Sequence, residues 1–398
     1  MLGAIFSGLS GLNAFSGGLK TISNNVANLN TPGFKSSVLQ FNELVYPEAY
    51  PGAATRQPVR GAGVSFSGTH FNMRQGDIRG SDGQLDFAVG GDGYLVLQGE
   101  EGNRYTRTAR FTVADSGKIV DRETGRALGI YDGSNSVKSA SVESLRNNPP
   151  KATSSLRLTG NITSTPPSTP TPTDVIATIS NVEIFDVNGG RRVMSIQFKK
   201  SAIAGRMDVL VLDESSSTVG QGELEFIGML PMPGREATTI SLRLGTTPQK
   251  VVFDFTSVTN QPLGTSSDVR VAEKDGYGHG TISTIALDDT GSIVLNYSNG
   301  QKATVGTVAV ARFPRPEAIN QLGHGLVEYI GAGAPAIAAS GKDGAGKVTG
   351  ASFEASNVDL SQEFGDLILV QRGFQASSQI INATNEMIQQ LFDLRGRS

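Results

Sequence analysis

Apolar residues recur every seven positions at both ends of this chain and lose that period in between. Near the N-terminus Ile5, Leu12, Leu19 and Val26 fall seven apart, with Leu9, Phe15, Ile22 and Leu29 at the alternate steps. Near the C-terminus Leu360, Leu367, Phe374, Ile381 and Ile388 keep the same spacing, while their alternates Phe364, Gln371, Ser378, Asn385 and Phe392 are only partly apolar. On a helix of about 3.6 residues per turn, a seven-residue repeat draws a seam that has to be buried against another helix. The first helix is expected to stop near Asn30, because Thr31-Pro32-Gly33 is a turn signal and proline restricts the residue before it. The second is expected from Val358 to Leu394, capped by Asn357 or Asp359. Gly3, Gly8, Gly11, Gly17 and Gly18 each cost the first helix about 1 kcal/mol relative to alanine, so packing must supply its stability.

The middle of the chain alternates over short runs broken by turn residues. Tyr94–Leu97, Phe111–Val113 and Lys118–Val120 read as strands, the last two joined by Asp115-Ser116-Gly117. Further strands are expected at 182–187, 193–198, 207–212, 250–255, 281–287, 292–297 and 304–311. Residues 35–70 look irregular, residues 161–173 form a Pro/Thr linker, and the Gly/Ala-rich stretch 331–350 reads as a loop. The expected fold is mixed: terminal α-helices form a coiled-coil-like pair, with two nested all-β domains between them. The corresponding division is 1–34 with 355–398 as the helical domain, 35–70 as an extended connection, 71–147 with 280–354 as an inner β domain, and 148–279 as an outer β insert. Nesting of this kind brings the two ends of the chain side by side.

Composition narrows the function. A net charge of −3 with interspersed signs lacks the basic patch of a nucleic-acid binder. Cysteine is absent, which removes disulfides, thiolate metal sites and a cysteine nucleophile. No run of about 18 apolar residues predicts membrane insertion. The N-terminus lacks the basic region of a secretory signal, so export would need a route that reads an uncleaved end.

No catalytic constellation emerges. Residues 341–347 match GxxxxGK, but Val348 stands where a phosphate-binding loop needs Ser or Thr, and the stretch reads as a plain loop. Asp288-Asp289-Thr290-Gly291 reads as a β-turn, and His70, His279 and His324 are too scattered for a zinc motif. Asn161-Ile162-Thr163 matches a glycosylation acceptor, a pattern common by chance. No cofactor is expected. A β-rich adhesin and a hydrolase are the rival classes to a structural polymer subunit. On the C-terminal helix Gln375, Gln379 and Asn382 add neutral polar surface suited to lining a water-filled tube.

The run Ser7-Gly8-Leu9-Ser10-Gly11-Leu12-Asn13-Ala14, followed by Ile22-Ser23-Asn24-Asn25-Val26-Ala27-Asn28-Leu29-Asn30-Thr31-Pro32-Gly33-Phe34-Lys35, closely resembles the N-terminal signature of bacterial flagellar rod and hook proteins. Ser356-Asn357-Val358-Asp359-Leu360, through Gln371-Arg372-Gly373-Phe374-Gln375-Ala376, resembles the other half of that family, and Gly90–Gly117 and Asp275–Asn299 are also similar to it. The insert at about 150–275 carries little of the resemblance.

The resemblance implies a non-enzymatic subunit that polymerises with itself into a tube at the cell surface. The length and the extra β domain point to the hook, a curved universal joint that passes torque from rod to filament, with a distal rod subunit as the alternative. It implies the distal rod protein, a hook cap protein, a hook–filament junction protein and the flagellar type III export apparatus as partners. The seam residues above would then serve assembly, and Phe41 with Val45 fits the family's Phe-x-x-x-hydrophobic export-gate motif.

Overall fold

In a computed structural model that describes residues 2–47, 59–133, 135–163, 175–201, 203, 205–244, 248–264 and 266–395, the chain folds as two compact units. One comprises Met1–Glu143, Ile285–Val294 and Thr304–Ser398, the other Ser144–Thr284 and Leu295–Ala303.

The first unit holds both terminal helices, α1 (Leu2–Ala27) and α2 (Leu360–Arg395), which pack against each other. The backbone turns out of α1 over 28–33, and Asp359 caps α2 by accepting the Ser361 N–H at 2.9 Å. Residues expected to be an irregular connection instead form a long antiparallel hairpin of β1 (Ser37–Pro47) and β2 (Val59–Phe71), lying against α1. Bulges between Gln40 and Phe41 and between Leu44 and Val45 shift the register twice. Each shift breaks the period-two alternation that marks a strand, which hides the hairpin in the sequence. Pro47 closes β1, while Pro51 and Pro58 fall outside the described residues.

The rest of the first unit is an antiparallel sheet that curls around Phe87, Leu95, Leu97, Phe111, Ile119, Leu128 and Val310, all fully buried. A second cluster stacks Phe313 on Tyr329 at 5.0 Å and sets it edge-on to Tyr105. The Gly/Ala-rich stretch read as a loop contributes two strands, Ala336–Ala339 beside Ala309–Arg312 and Lys347–Thr349 beside Asp86–Gly90. Its small side chains gave no pattern, yet they let strands lie close over a buried Val348.

The second unit is all β. A sheet of Val175–Phe185, Arg191–Lys200, Arg206–Leu212 and Thr218–Ile227 shares one core with a sheet of Ala237–Leu242, Gln249–Thr259, Ser155–Asn161 and Arg270–Lys274. Phe198, Phe253 and Phe255 are its largest fully buried side chains. The Pro/Thr stretch is internal to this unit. Ser155–Asn161 before it pairs with Gln249–Thr259, Ile162 and Thr163 are buried, and residues 164–174 lie outside the described residues.

Candidate assembly surface

Small residues make the contact between α1 and α2. The buried stripe of α1 is Gly8, Gly11, Ala14, Gly18, Ile22 and Asn25; that of α2 is Glu363, Val370, Ser377 and Thr384, each seven residues from the next. The helices run antiparallel, with Gly8 beside Ile381, Gly11 beside Ser377 and Gly18 beside Val370. A Cβ on Gly11 would come within 2.6 Å of Ser377 Oγ, and one on Gly373 within 2.4 Å of the Phe15 ring. The glycines that weaken α1 as an isolated helix are therefore what allows this approach. The same Phe15 ring also carries α1 onto the hairpin, where Phe15, Phe41 and Phe66 follow one another at 6.0 and 6.3 Å.

This contact leaves most of the large apolar residues uncovered. Of the sequence-predicted seam, Ile22 is buried, and Ile5, Leu12, Phe15, Leu19, Val26, Leu29, Leu367, Ile381 and Ile388 are half-buried. Leu9, Leu360, Phe364, Phe374 and Phe392 are exposed, Phe392 by 69%. At about 100° per residue, the faces of α2 sort around Val370. Leu360, Phe364, Leu367, Phe374 and Phe392 flank the buried stripe on one side; Leu369, Ile380, Met387 and Leu391, all exposed, flank it on the other. Gln375 and Gln379 lie on the opposite face together with Ile368, Arg372 and Glu386, all exposed, and exposed Asn382 stands at its edge, level with Phe364. The second flank was not foreseen, because its residues are out of step with the heptad read from the sequence. Phe41 and Val45 are both partly exposed on β1.

A buried ionic hub fastens the segments leaving the two helices. Glu354, only 1% exposed at its side chain, accepts from Lys35 Nζ at 2.6 Å, Arg107 Nε at 2.7 Å and the Gly76 N–H at 2.9 Å. Its backbone carbonyl accepts the Gly33 N–H at 2.7 Å. Arg107 also donates to the carbonyls of Val89, Gly91 and Gly93, and its guanidinium lies over the Tyr94 ring. Asn357 joins the same region by accepting the Ser36 N–H and donating to the carbonyls of Asn72 and Arg74. Burial holds the Lys35 ammonium below the usual lysine range, with Glu354 pulling the other way. Sequence reading missed Arg107 and Glu354; they carry no local pattern and meet only in the fold.

A second polar contact sits inside the helix pair. The Asn25 amide donates to Glu363 Oε1 at 2.8 Å and to the Ser37 carbonyl, and its oxygen accepts the Ser37 N–H. Burial pushes the Glu363 carboxyl up, opposed by the Asn25 bond and reinforced by Asp366 and Asp359.

The remaining motifs resolve as structure. In the 341–347 stretch the Gly346 N–H donates to the Asp92 carbonyl and Arg312 donates to the Asp343 carbonyl. Asp288 Oδ1 accepts from Thr290 and Ser292, closing its own turn. His324 sits in a tight turn at positive φ, 3.7 Å from Glu123. Asn161 is 8% exposed and its amide donates to the Gln261 carbonyl, which closes it to glycosylation in the folded chain. Among the described residues there is no group of side chains arranged to hold a metal ion, and no helix is long and apolar enough to cross a membrane.

Comparison with known proteins points one way. Residues 5–35 match the family model "Flagella basal body rod protein", and residues 349–394 match "Flagellar basal body rod FlgEFG protein C-terminal". The chain is 25% identical to the flagellar hook protein FlgE of Borreliella burgdorferi, covering 99% of this chain and 100% of that one. It is 27% identical to FlgE of Salmonella typhimurium over 97% of this chain and 98% of that one. The crystal structure of Helicobacter pylori flagellar hook protein FlgE2 aligns with a TM-score of 0.43 at 11% identity, over 68% of this chain and 99% of that one.

Proposed function

We propose that this chain, which belongs to the flagellar rod and hook protein family, is a structural subunit of the flagellar hook and builds a curved tube that passes torque from rod to filament. The observation that carries the reading is the three-sided character of α2. One stripe is used inside the subunit, an apolar flank stands free on either side of it, and a mainly polar face, with Arg372 and Glu386 beside Gln375 and Gln379, lies opposite. A helix with two uncovered flanks calls for a neighbour on each, and contacts that do not close on themselves generate an open helical assembly. Burying a large apolar side chain contributes roughly 1.5–3 kcal/mol, so a handful per flank offsets the ordering cost of association.

In such a tube Gln375, Gln379 and Asn382 would line the channel, with the single charges Arg372 and Glu386 beside them on the same face. The predicted seam would make the lateral contacts. The chain is matched along nearly its whole length by hook proteins, which favours hook over rod. The division into a helical tube core, an inner β domain and an outer β insert belongs to this reading, as do the distal rod, cap and junction proteins at its two ends.

Delivery through the type III export apparatus is part of the same proposal. Phe41 packs between Phe15 and Phe66 in the folded subunit, so an export gate would read Phe41 and Val45 on the unfolded chain. Replacing both by alanine is expected to abolish secretion while synthesis continues; undiminished secretion would remove the motif from the account.

The deciding experiment is electron microscopy of purified basal bodies labelled with antibodies to residues 175–259. Label along a short curved segment between rod and filament is expected. Label on the straight rod would transfer the chain to the rod subunits, and absence of label from the appendage would reject the reading.

A further inference from the structure

We propose that the groove between the start of α2 and strand β1 is the socket for the C-terminal end of α2 from a second copy of this chain, a head-to-tail contact. The inference rests on the polymer reading above and names one of its contacts.

The groove holds about 340 Å³. Its apolar wall is Phe15, Ile22, Leu39, Phe41, Leu369 and Val370, and its acidic rim is Asp359, Glu363 and Asp366. No cation lines it, and none of the three carboxylates forms an ion pair among the described residues. Glu363 is only 8% exposed, yet its second oxygen accepts no hydrogen bond from the described residues. An apolar slot with uncompensated negative charge selects an aromatic or aliphatic anchor followed by cations.

The end of α2 has that composition. Leu391 and Phe392 stand exposed, with nothing packed over them among the described residues; Asp393 follows directly, and Arg395 and Arg397 beyond it give the run 391–397 a net positive charge. The same copy cannot fill its own socket. A helical rise of about 1.5 Å per residue puts Phe392 about 39 Å along the axis from Asp366. Each copy therefore offers one plug and one socket at opposite ends of one helix, and such a pairing continues from copy to copy without closing.

The natural absence of cysteine makes the test clean. The doubly substituted chain Leu369→Cys with Phe392→Cys is assembled into filaments in concentrated sulfate, which strengthens apolar burial, then oxidised, dissociated and run under denaturing conditions. A ladder of covalent dimers, trimers and higher oligomers is expected, with neither single variant progressing beyond dimer. In parallel, Arg395→Glu with Arg397→Glu is expected to raise the critical concentration for assembly at low salt at least tenfold, and Asp366→Lys in the same chain, which leaves the Asp359 cap in place, to restore part of it. Normal filaments with no ladder, and with no response to charge reversal, would overturn this contact while leaving the polymer reading standing. Failure of the unsubstituted chain to form any filament would overturn both.

Discussion

Single side chains decide how the two ends of this chain are held. Glu354 faces two cations, so it is the group whose loss leaves most charge unpaired. Replacing it by Gln is expected to cost about 3–5 kcal/mol, because Lys35 and Arg107 stay buried without their counter-charge. Amide exchange of the strands around Val89 and Arg107 would report the loss. Glu363 should behave in the opposite sense. Its folded-state pKa is raised, so its burial penalty is fully present above that raised value and gone below the ordinary glutamate value. The helix pair of the free subunit should therefore tighten as pH falls from neutral through the raised pKa. Glu363→Gln keeps an acceptor for Asn25 and removes the charge, so it should protect α1 amides more than the native residue does at pH 7. The two should converge near pH 4; equal protection at both pH values would show that Glu363 carries no burial cost. None of this was legible in the sequence, because Glu354, Arg107 and Lys35 are joined only by the fold and nothing near Glu363 marks it as buried.

At the level of elements, the heptads correctly announced two terminal helices but not the surface on which they meet. Large apolar residues dominate a sequence pattern. The contact is instead built from Gly8, Gly11, Gly18, Gly373, Ser377 and Thr384, whose small side chains contribute little to any periodicity. The same blindness hid the hairpin, where bulges break the alternation, and the strand at Ala336–Ala339. Glycines on α2 should consequently divide into two kinds. Gly373→Ala pushes into the Phe15 ring and should destabilise the helix pair by about 1–3 kcal/mol. Gly365 has open space where its Cβ would stand, so Gly365→Ala should stabilise α2 by up to about 1 kcal/mol in the free subunit. Thermal melting followed by helical circular dichroism separates the two; equal responses would mean that the antiparallel contact is not the one described.

Across the whole molecule, the two units have separate cores, so cooperativity should be divided as well. Calorimetry of the free subunit is expected to give two transitions rather than one. Phe253→Ala, deep in the all-β unit, should lower one of them by about 3–5 kcal/mol and leave the other in place. A single transition moved as a whole would show the units to be thermodynamically fused. The strand runs and turns of this unit were readable from sequence because its strands alternate cleanly, as in Arg191–Lys200. The strand Ser155–Asn161, inside the expected 148–279 insert, was not read, since the Pro/Thr stretch that adjoins it looked like a linker.

The ionic hub also has a mechanical meaning. Gly33 and Lys35 from the N-terminal side and Glu354 and Asn357 from the C-terminal side are fastened to one another and to the carbonyls at 74 and 89–93. A pull on either helix is then shared among several short bonds. Bonds loaded together fail only together, so a subunit gripped by its terminal helices can bear a sustained twist with contacts that would each yield if taken singly.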